Sequence, residues 1–282
     1  MRVAVVTDST ANLPKKAAAD LGITVVPLQV LFGNQSYRDG VDLEAEQFYR
    51  MMIDSKELPT TSQPSTGLFV EAFTSLLKDH DAIVGVFISA KLSGTLRSAE
   101  SARALVGGDI TLVDSEKTEY ALGMQVIAAA KLAQSGAEPA EMVERMNQVR
   151  QSANAYIVVD SLENLRRGGR IGGAAALLGS LLQIKPIITL QNGIVEVHEK
   201  VRTYGKAVDR IVDKVATDAE SGHVREVTVI YTTDRSAAID LQQRVQKRMP
   251  QTPTQLLPIT PVVGVHAGAG SVGVIYDKAG LL

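Results

Sequence analysis

The sequence predicts an α/β fold divided into two domains. Short apolar runs rich in valine and isoleucine alternate with amphipathic stretches of helical period, which is typical of a largely parallel sheet covered by helices. The chain has 282 residues. This length exceeds a typical single domain and favours two domains, each able to bury its own core, with one large α/β domain as the alternative.

The first half, residues 1–153, predicts a three-layer αβα domain with a mainly parallel sheet. Strands are expected near residues 2–7, 23–31, 82–88 and 109–114. Helices are expected near residues 14–20, 42–54, 66–79, 94–106, 118–134 and 139–151. Gly136 suits the end of one of the last two helices and Pro139 suits the start of the other, and the domain boundary is placed just after them.

The second half, residues 154–282, predicts a mixed sheet with helices. Residues 187–190 and 194–197 are separated by Gln191-Asn192-Gly193, a strong hairpin signal that requires positive φ angles, so an antiparallel pair is expected. Further strands are expected near residues 227–232, 254–259 and 271–276. Helices are expected near residues 204–218 and 234–248.

Composition excludes several classes of function. The chain has 29 basic and 31 acidic residues and few aromatic ones, so it lacks the basic surface expected of a nucleic-acid-binding protein. It has no cysteine, which excludes disulfides and thiolate metal sites. The histidines lack partners at metal-ligand spacing, so no metal is expected. Because no signal peptide and no apolar run of about 18 residues is present, a cytoplasmic protein with no membrane span is expected.

Ser93 follows the strand predicted at residues 82–88 and precedes a helix. This places its hydroxyl at the carboxyl end of a strand, where α/β sheets bind ligands. Capping of the helix by Ser93 explains the position equally well. A hydrolase nucleophile elbow is not encoded, because Lys91 and Thr95 stand where that motif needs glycine.

Two more hydroxyl-rich segments are interpreted as turns beside apolar runs: Thr7-Asp-Ser-Thr10 and Thr61-Ser62-Gln-Pro-Ser65. On local grounds Ser65 is best explained as a helix cap. His266 stands in a turn flanked by small residues, where a structural role is favoured over ligand binding from the residue alone.

Two glycine-rich segments are excluded as nucleotide sites. Residues 166–173 carry three arginines and four glycines, which suits an anion-receiving loop but lacks the Gly-Lys-Ser/Thr ending of a P-loop. Residues 268–273 match Gly-x-Gly-x-x-Gly, yet they lead into the last predicted strand with no helix to follow.

Taken together, the motifs resemble the DegV family of bacterial fatty-acid-binding proteins, the FakB-type subunits of fatty acid kinase. The resemblance spans the whole chain. One position departs from the family pattern, because Ala269 stands where the family's His-x-Gly-Pro-Gly motif has proline. The resemblance is carried by Thr7-Asp-Ser-Thr10, Thr61-Ser-Gln-Pro-Ser65, Ser89 through Ser93-Gly-Thr95, Gly168-Gly-Arg-Ile171, Lys200-Val-Arg202-Thr and the His266 segment.

The resemblance implies a carrier with no catalytic residue of its own, which binds a long-chain fatty acid between the two domains and needs no other cofactor. Thr61, Ser93 and His266 would hydrogen-bond the carboxylate. A separate fatty acid kinase would convert the acid to an acyl phosphate for phospholipid synthesis. Arg170 would lie near the phosphotransfer centre, and Arg202 would contribute to kinase docking. Ser62, Gly94 and Thr95 complete the predicted substrate-binding set.

The acyl chain requires an apolar environment. Residues 174–182 and 184–188 carry more apolar side chains than one helical stripe needs, so they are expected to line a tunnel, with an ordinary buried helix as the alternative. Two other functions stay open from the sequence. One is a hydrolase or a sugar or dihydroxyacetone phosphotransferase using Ser93 and His266, and the other is a carboxylate sensor.

Overall fold

The computed structural model of the protein describes residues 1–55, 57–177, 184–220 and 222–282. The chain separates into two compact units. The first comprises Met1–Glu44, Pro59–Gln151 and Leu281–Leu282, and the second comprises Ala45–Leu58 and Ser152–Gly280. No helix in these ranges combines the length and apolar composition needed to cross a bilayer.

Strands and helices alternate through most of the chain. The strands are β1 Val3–Asp8, β2 Ile23–Val26, β3 Gln29–Phe32, β4 Gln35–Arg38, β5 Thr60–Ser62, β6 Ala82–Phe87, β7 Ile110–Asp114, β8 Ala153–Val158, β9 Lys185–Gln191, β10 Ile194–Val201, β11 Val227–Tyr231, β12 Thr254–Pro258 and β13 Val272–Asp277. The helices are α1 Lys15–Asp20, α2 Ala45–Asp54, α3 Thr66–Leu76, α4 Thr95–Val106, α5 Glu119–Gln134, α6 Pro139–Ser152, α7 Glu163–Arg167, α8 Tyr204–Ala219, α9 Arg235–Arg248 and α10 Pro261–Ala267.

The first unit has a parallel sheet of order β2-β1-β6-β7, whose central strands β1 and β6 are buried on both faces. Side chains alternate along a strand, so one set of β1 residues packs with α5 while the other set packs with α3. Val5 belongs to the cluster of Leu122 and Val126, whereas Val6 belongs to that of Phe69 and Phe73. The predicted three-layer αβα arrangement is therefore confirmed.

The strand predicted at residues 23–31 is in fact two strands. Residues 23–26 pair with β1 in the parallel sheet, and residues 29–32 join a separate antiparallel sheet of order β4-β3-β5. Pro27 lies between them and has no N–H to donate, which explains why the parallel ladder stops there. Pattern reasoning missed β4 and β5, because both are short and polar.

The second unit has a sheet of order β10-β9-β8-β13-β11-β12, in which β11 and β12 pair in parallel and the other described pairs are antiparallel. The predicted mixed sheet is confirmed, as is the β9–β10 hairpin. Asn192 and Gly193 have φ values of 50° and 80°, as the favoured two-residue hairpin turn requires. Helices α8 and α9 contribute Ile211, Val215 and Leu241 to the core on this sheet.

Helix α2 groups with the second unit, although the sequence division at residue 153 placed it in the first domain. The physical reason lies in its contacts. The Tyr49 hydroxyl donates to the Ile259 carbonyl at 2.9 Å. A Cβ at Gly264 would lie 2.5 Å from the Tyr49 hydroxyl and 2.9 Å from Phe48, so α2 and α10 approach closely because position 264 is glycine.

Candidate functional site

The carboxyl ends of β1 and β6 are joined by the buried carboxylate of Asp8. One of its oxygens accepts from the Ile88 N–H at 2.8 Å, and the other accepts from the Thr10 N–H at 2.9 Å and the Thr10 hydroxyl at 2.6 Å. Burial raises the pKa of Asp8 to about 6, against the lowering effect of these hydrogen bonds. The chain leaves β1 towards β2 and leaves β6 towards β7, so the two strands flank the switch point where such sheets bind ligands.

The loop that carries Ser93 follows β6 directly. The Leu92 and Ser93 N–H groups both donate to the Ser89 carbonyl, at 2.9 and 3.1 Å, which folds the loop into a tight turn. The Ser93 hydroxyl lies 2.9 Å from the Thr95 hydroxyl and accepts from the Thr95 N–H at 3.3 Å. Helix α4 begins at Thr95 after Gly94, which has no side chain with which to cap it.

Thr61 and Ser62 lie in strand β5 rather than in the turn predicted from the sequence. Thr61 pairs with Val30 and Ser62 pairs with Gln29 of β3. Extended backbone before a proline explains the strand, because Pro64 disfavours helical geometry at the preceding residue. Ser65 caps α3 by accepting from the Leu68 N–H at 3.3 Å, as predicted.

The structure brings the two hydroxyl-bearing segments of the first unit together through Gln63. Its side-chain amide donates to the Ser98 hydroxyl at 2.8 Å. The same amide covers Gly94, since a Cβ at that position would lie 2.0 Å from Gln63 Oε1. We call the set formed by Thr61, Ser62, Ser93, Gly94 and Thr95 the hydroxyl site.

His266 lies in helix α10 and not in a turn as predicted. Its imidazole covers Gly168, because a Cβ at that position would lie 2.2 Å from Nδ1 and 2.7 Å from Cε1. The Asn164 side-chain amide donates to the Val265 carbonyl at 2.9 Å and ties α7 to α10. Burial, followed by the nearby positive charge of Arg170, lowers the pKa of His266 to about 4, so the ring is neutral at pH 7.

Arg170 follows the turn after α7, and its guanidinium donates to the Gly168 carbonyl. Gly169 has a φ of 72°, which lets the chain reverse towards the imidazole. We call Gly168, Arg170 and His266 the imidazole site. Arg202 is exposed and lies between β10 and α8 in the same unit.

The neighbouring arginines Arg166 and Arg167 form ion pairs with one carboxylate. Arg166 and Arg167 each lie 2.6 Å from the Glu163 carboxylate. Hydrogen bonds from Arg166 and then Arg167 lower the pKa of Glu163 to about 2. This pairing neutralises part of the charge of the arginine-rich segment predicted to receive an anion.

The turn after His266 is well defined without the proline of the family pattern. Gly268 and Gly270 have φ values of 76° and 74° on either side of Ala269, which is exposed. The Gly270 N–H donates to the Thr233 hydroxyl at 3.0 Å, and the Ser271 hydroxyl donates to the Ala267 carbonyl at 2.9 Å. These bonds fix the ends of the turn, so Ala269 leaves the position of α10 intact.

The segment predicted to line a tunnel is described only in part. Ala174 and Leu177 are buried, and residues 178–183 lie outside the described residues. Ile187 is buried in the core of the second unit, where it packs on the sheet. Within the described ranges, no group of three or more His, Asp or Glu side chains is placed to hold a metal.

Three residues that shape these sites were missed as site residues by sequence reasoning. Asp8 was interpreted as a turn residue, and Gln63 and Gly168 were noted only as parts of motifs. The sequence signal for a site role of Gly168 and Gly94 is weak. Each glycine leaves space for a side chain that only the folded structure brings next to it.

Comparison with known proteins decides the family. A family model described as "Uncharacterised protein, DegV family" matches residues 2–279. The chain belongs to the DegV family. A DegV domain-containing protein of Halalkalibacterium halodurans is 38% identical over 277 residues, covering 98% of each chain.

Two solved structures of DegV proteins have the same fold as this chain. The structure of DegV from Bacillus subtilis, described as a fatty acid binding protein, is 34% identical, with a TM-score of 0.91. A DegV family protein from Thermus thermophilus, whose structure is described in terms of fatty acid binding, is 33% identical, with a TM-score of 0.90. Both alignments cover 98% of this chain and 99% of the other.

Proposed function

We propose that this DegV protein binds a long-chain fatty acid and presents its carboxyl group to a separate fatty acid kinase. The observation that carries the proposal is the hydroxyl site, where Ser93 and Thr95 lie at the start of a helix whose N-cap residue is glycine, and where Gln63 links that helix to the strand of Thr61. The two fatty-acid-binding structures that share its fold support the same ligand class.

The hydroxyl site suits a carboxylate for electrostatic reasons. The N-terminus of a helix carries partial positive charge and N–H groups without acceptors, so it favours an anion. Hydroxyl groups hold the anion by hydrogen bonds and avoid the desolvation cost of a buried ion pair. In this proposal Thr61 and Ser93 bond the carboxylate oxygens, with Ser62, Gly94 and Thr95 completing the site.

His266 acts in this proposal as a neutral hydrogen-bonding group. Its pKa of about 4 leaves the ring uncharged at physiological pH. A neutral imidazole can donate one hydrogen bond without binding a carboxylate so strongly that it cannot react. Most of the affinity then comes from the acyl chain, since each buried methylene contributes about 0.8 kcal/mol.

The kinase step needs an exposed carboxylate and a nucleotide held by the partner. A carboxylate oxygen attacks the γ-phosphorus of ATP bound to the kinase, the bond to the β-phosphate oxygen breaks, and acyl phosphate and ADP form without a change in proton count. In this proposal Arg170 stabilises the charge of the transferred phosphoryl group, as guanidinium groups do in such reactions. Arg202, exposed in the same unit, is assigned to kinase docking, and the product feeds phospholipid synthesis.

Lipid extraction and mass spectrometry of the purified protein test the ligand. A long-chain acid at close to one molecule per chain is expected. The variants Ser93→Ala and Thr61→Ala are expected to release labelled palmitic acid to vesicles roughly three- to tenfold faster, which corresponds to the loss of one hydrogen bond. Ser101→Ala is the matched control, because Ser101 is exposed on the same helix and its hydroxyl donates to the Arg97 carbonyl.

Two further measurements separate this function from its rivals. Acyl phosphate is expected only when the kinase and ATP are both added, and Arg170→Gln is expected to slow its formation while leaving palmitate binding unchanged. Ester hydrolysis by the isolated chain that disappears in Ser93→Ala would instead favour a hydrolase. Absence of any long-chain acid, with no uptake of added palmitate, would reject the proposal.

A further inference from the structure

The side chain of Gln63 connects two segments that are far apart in the sequence. It extends from the end of β5 to helix α4, where its amide donates to the Ser98 hydroxyl at 2.8 Å. Ser98 is buried on the first turn of α4, where its N–H donates to the Gly94 carbonyl at 3.0 Å. The amide therefore links the strand of Thr61 directly to the helix turn that follows Ser93.

Glycine at position 94 is explained by the space that Gln63 occupies and not by backbone conformation. Gly94 has a φ of −79°, which any residue adopts. A Cβ there would lie 2.0 Å from Oε1, 2.8 Å from Cδ and 2.9 Å from Nε2 of Gln63. The whole amide group of Gln63 thus lies against the backbone between Ser93 and Thr95.

The backbone that delivers this amide is itself restrained. Pro64 limits Gln63 to extended geometry, and Ser65 begins helix α3 through its bond from the Leu68 N–H. On the other side, the pairing of Ser62 with Gln29 fixes the strand. Because both neighbours are held, the position of the Gln63 side chain is reproducible and its contacts fix the spacing of the two segments.

We infer that Gln63 is a positioning residue that sets the distance between the Thr61 and Ser93 hydroxyls, and through it the geometry of the bound carboxylate. The inference rests on the proposed function, in which those hydroxyls hold the acid. Gln63 acts through the hydroxyls and not as a ligand of the carboxylate.

The first test removes the hydrogen bond between Gln63 and Ser98 by changing each partner in turn. Gln63→Leu keeps the size of the side chain but removes its donor, and Ser98→Ala removes the acceptor. Each is expected to release palmitic acid roughly three- to tenfold faster than the parent protein, which is the effect of one hydrogen bond. The double variant is expected to be within about twofold of either single variant, because both changes remove the same contact. Ser101→Ala is the control on the same helix and is expected to behave like the parent.

The second test reads the carboxylate itself. Palmitic acid labelled with carbon-13 at the carboxyl carbon gives an NMR signal whose shift follows protonation. Gln63→Glu can accept from the Ser98 hydroxyl and so keep the bridge, but it adds a negative charge beside the site. Its release rate is expected to be closer to the parent's than that of Gln63→Leu, and its bound carboxyl is expected to titrate at higher pH. The added charge raises that pKa markedly only if residue 63 lies close to the bound carboxyl, which a role in folding alone does not require.

The outcomes separate the inference from the proposed function. If the parent protein takes up no labelled acid, the proposed function fails and the inference fails with it. If the parent binds the acid but Gln63→Leu and Ser98→Ala release it at the parent's rate with an unchanged carboxyl signal, the inference alone is overturned. Should Gln63→Leu unfold, Ser98→Ala with Gln63→Glu decides the question by the same two measurements.

Discussion

The hydroxyl site of the first unit and the imidazole site of the second unit are built in opposite ways. The hydroxyl site consists of hydroxyl-bearing residues in β5 and around the start of α4, packed against the side-chain amide of one glutamine. The imidazole site consists of an aromatic ring pressed against a glycine, with an arginine near enough to affect its pKa. We expect the first site to accommodate added volume at lower cost than the second, because the end of a long side chain can rotate aside when its place is filled, whereas a packed ring must displace its neighbours.

The two sites also differ in the buried group that titrates near them. Asp8, which fixes the strand end before the Ser93 loop, has a pKa raised to about 6 by burial. Burial and Arg170 lower the pKa of His266 to about 4. Desolvation disfavours the charged form in both cases, and the shifts have opposite directions because one group becomes charged by losing a proton and the other by gaining one.

These opposite shifts predict opposite pH dependences of stability in the lipid-free protein. The contribution of Asp8 is fully present below about pH 4 and is lost as the pH rises through 6, since the folded state holds the proton more tightly. The contribution of His266 is present above pH 6.5 and is lost as the pH falls through 4. Each change amounts to on the order of 3 kcal/mol.

Urea unfolding of Asp8→Asn and His266→Gln between pH 4 and pH 7 measures both effects. Relative to the parent, Asp8→Asn is expected to gain stability as the pH rises across this window. His266→Gln is expected to gain stability as the pH falls. A difference in stability between variant and parent that is the same at every pH reflects altered hydrogen bonds. Only the slope of that difference against pH is therefore compared. Slopes of the same sign in the two variants would contradict the assigned shifts.

Pattern reasoning predicted the elements that are long and periodic. The parallel strands β1, β6 and β7 and the helices that cover them follow from apolar runs and helical spacing, and the β9–β10 hairpin follows from Asn192-Gly193. The short strands β4 and β5 carry few apolar residues, so the local pattern of apolar and polar residues does not predict them. Their order depends on pairing with β3, a contact made through the backbone.

The candidate site was less accessible to pattern reasoning, because its contacts join residues far apart in the chain. Ser93 and Thr61 could be named from their motifs, and the bridge between them depends on Gln63 reaching Ser98. His266 was expected in a turn because Gly268 and Gly270 follow it. Helix α10 ends at Ala267, so the glycines form the turn just beyond the helix and not around the histidine.

The difference in tolerance between the sites predicts unequal effects of the same small substitution. Gly168→Ala places a methyl group about 2 Å from the His266 ring, so the ring must move. We expect a loss of roughly 1–3 kcal/mol in the free energy of unfolding. We also expect palmitic acid to be released at least about tenfold faster. Gly94→Ala displaces only the end of Gln63, and a loss below roughly 1 kcal/mol is expected. Urea unfolding and transfer of the acid to vesicles measure both.

Gly205→Ala supplies the control for these two variants. Gly205 lies in the first turn of α8, and nothing lies within 4 Å of a Cβ built there. Alanine favours a helix, so this variant is expected to be as stable as the parent or slightly more stable. If Gly94→Ala proves as damaging as Gly168→Ala, the hydroxyl site is as rigid as the imidazole site and the contrast between them is wrong.

The smallest expected effect concerns the charge beside His266. Burial is the larger cause of its lowered pKa and Arg170 is the smaller. Arg170→Gln is therefore expected to raise the pKa of His266 by less than about one unit, as measured by NMR titration of the imidazole. Arg202→Gln is the matched control and is expected to leave that pKa unchanged, since Arg202 is not among the causes of the shift.

A return of the His266 pKa to its ordinary value in Arg170→Gln would mean that charge, and not close packing on Gly168, keeps the ring neutral. The pKa of His266 would then respond far more strongly to an approaching phosphate than packing alone allows, because the negative charge of the phosphate offsets the positive charge of Arg170.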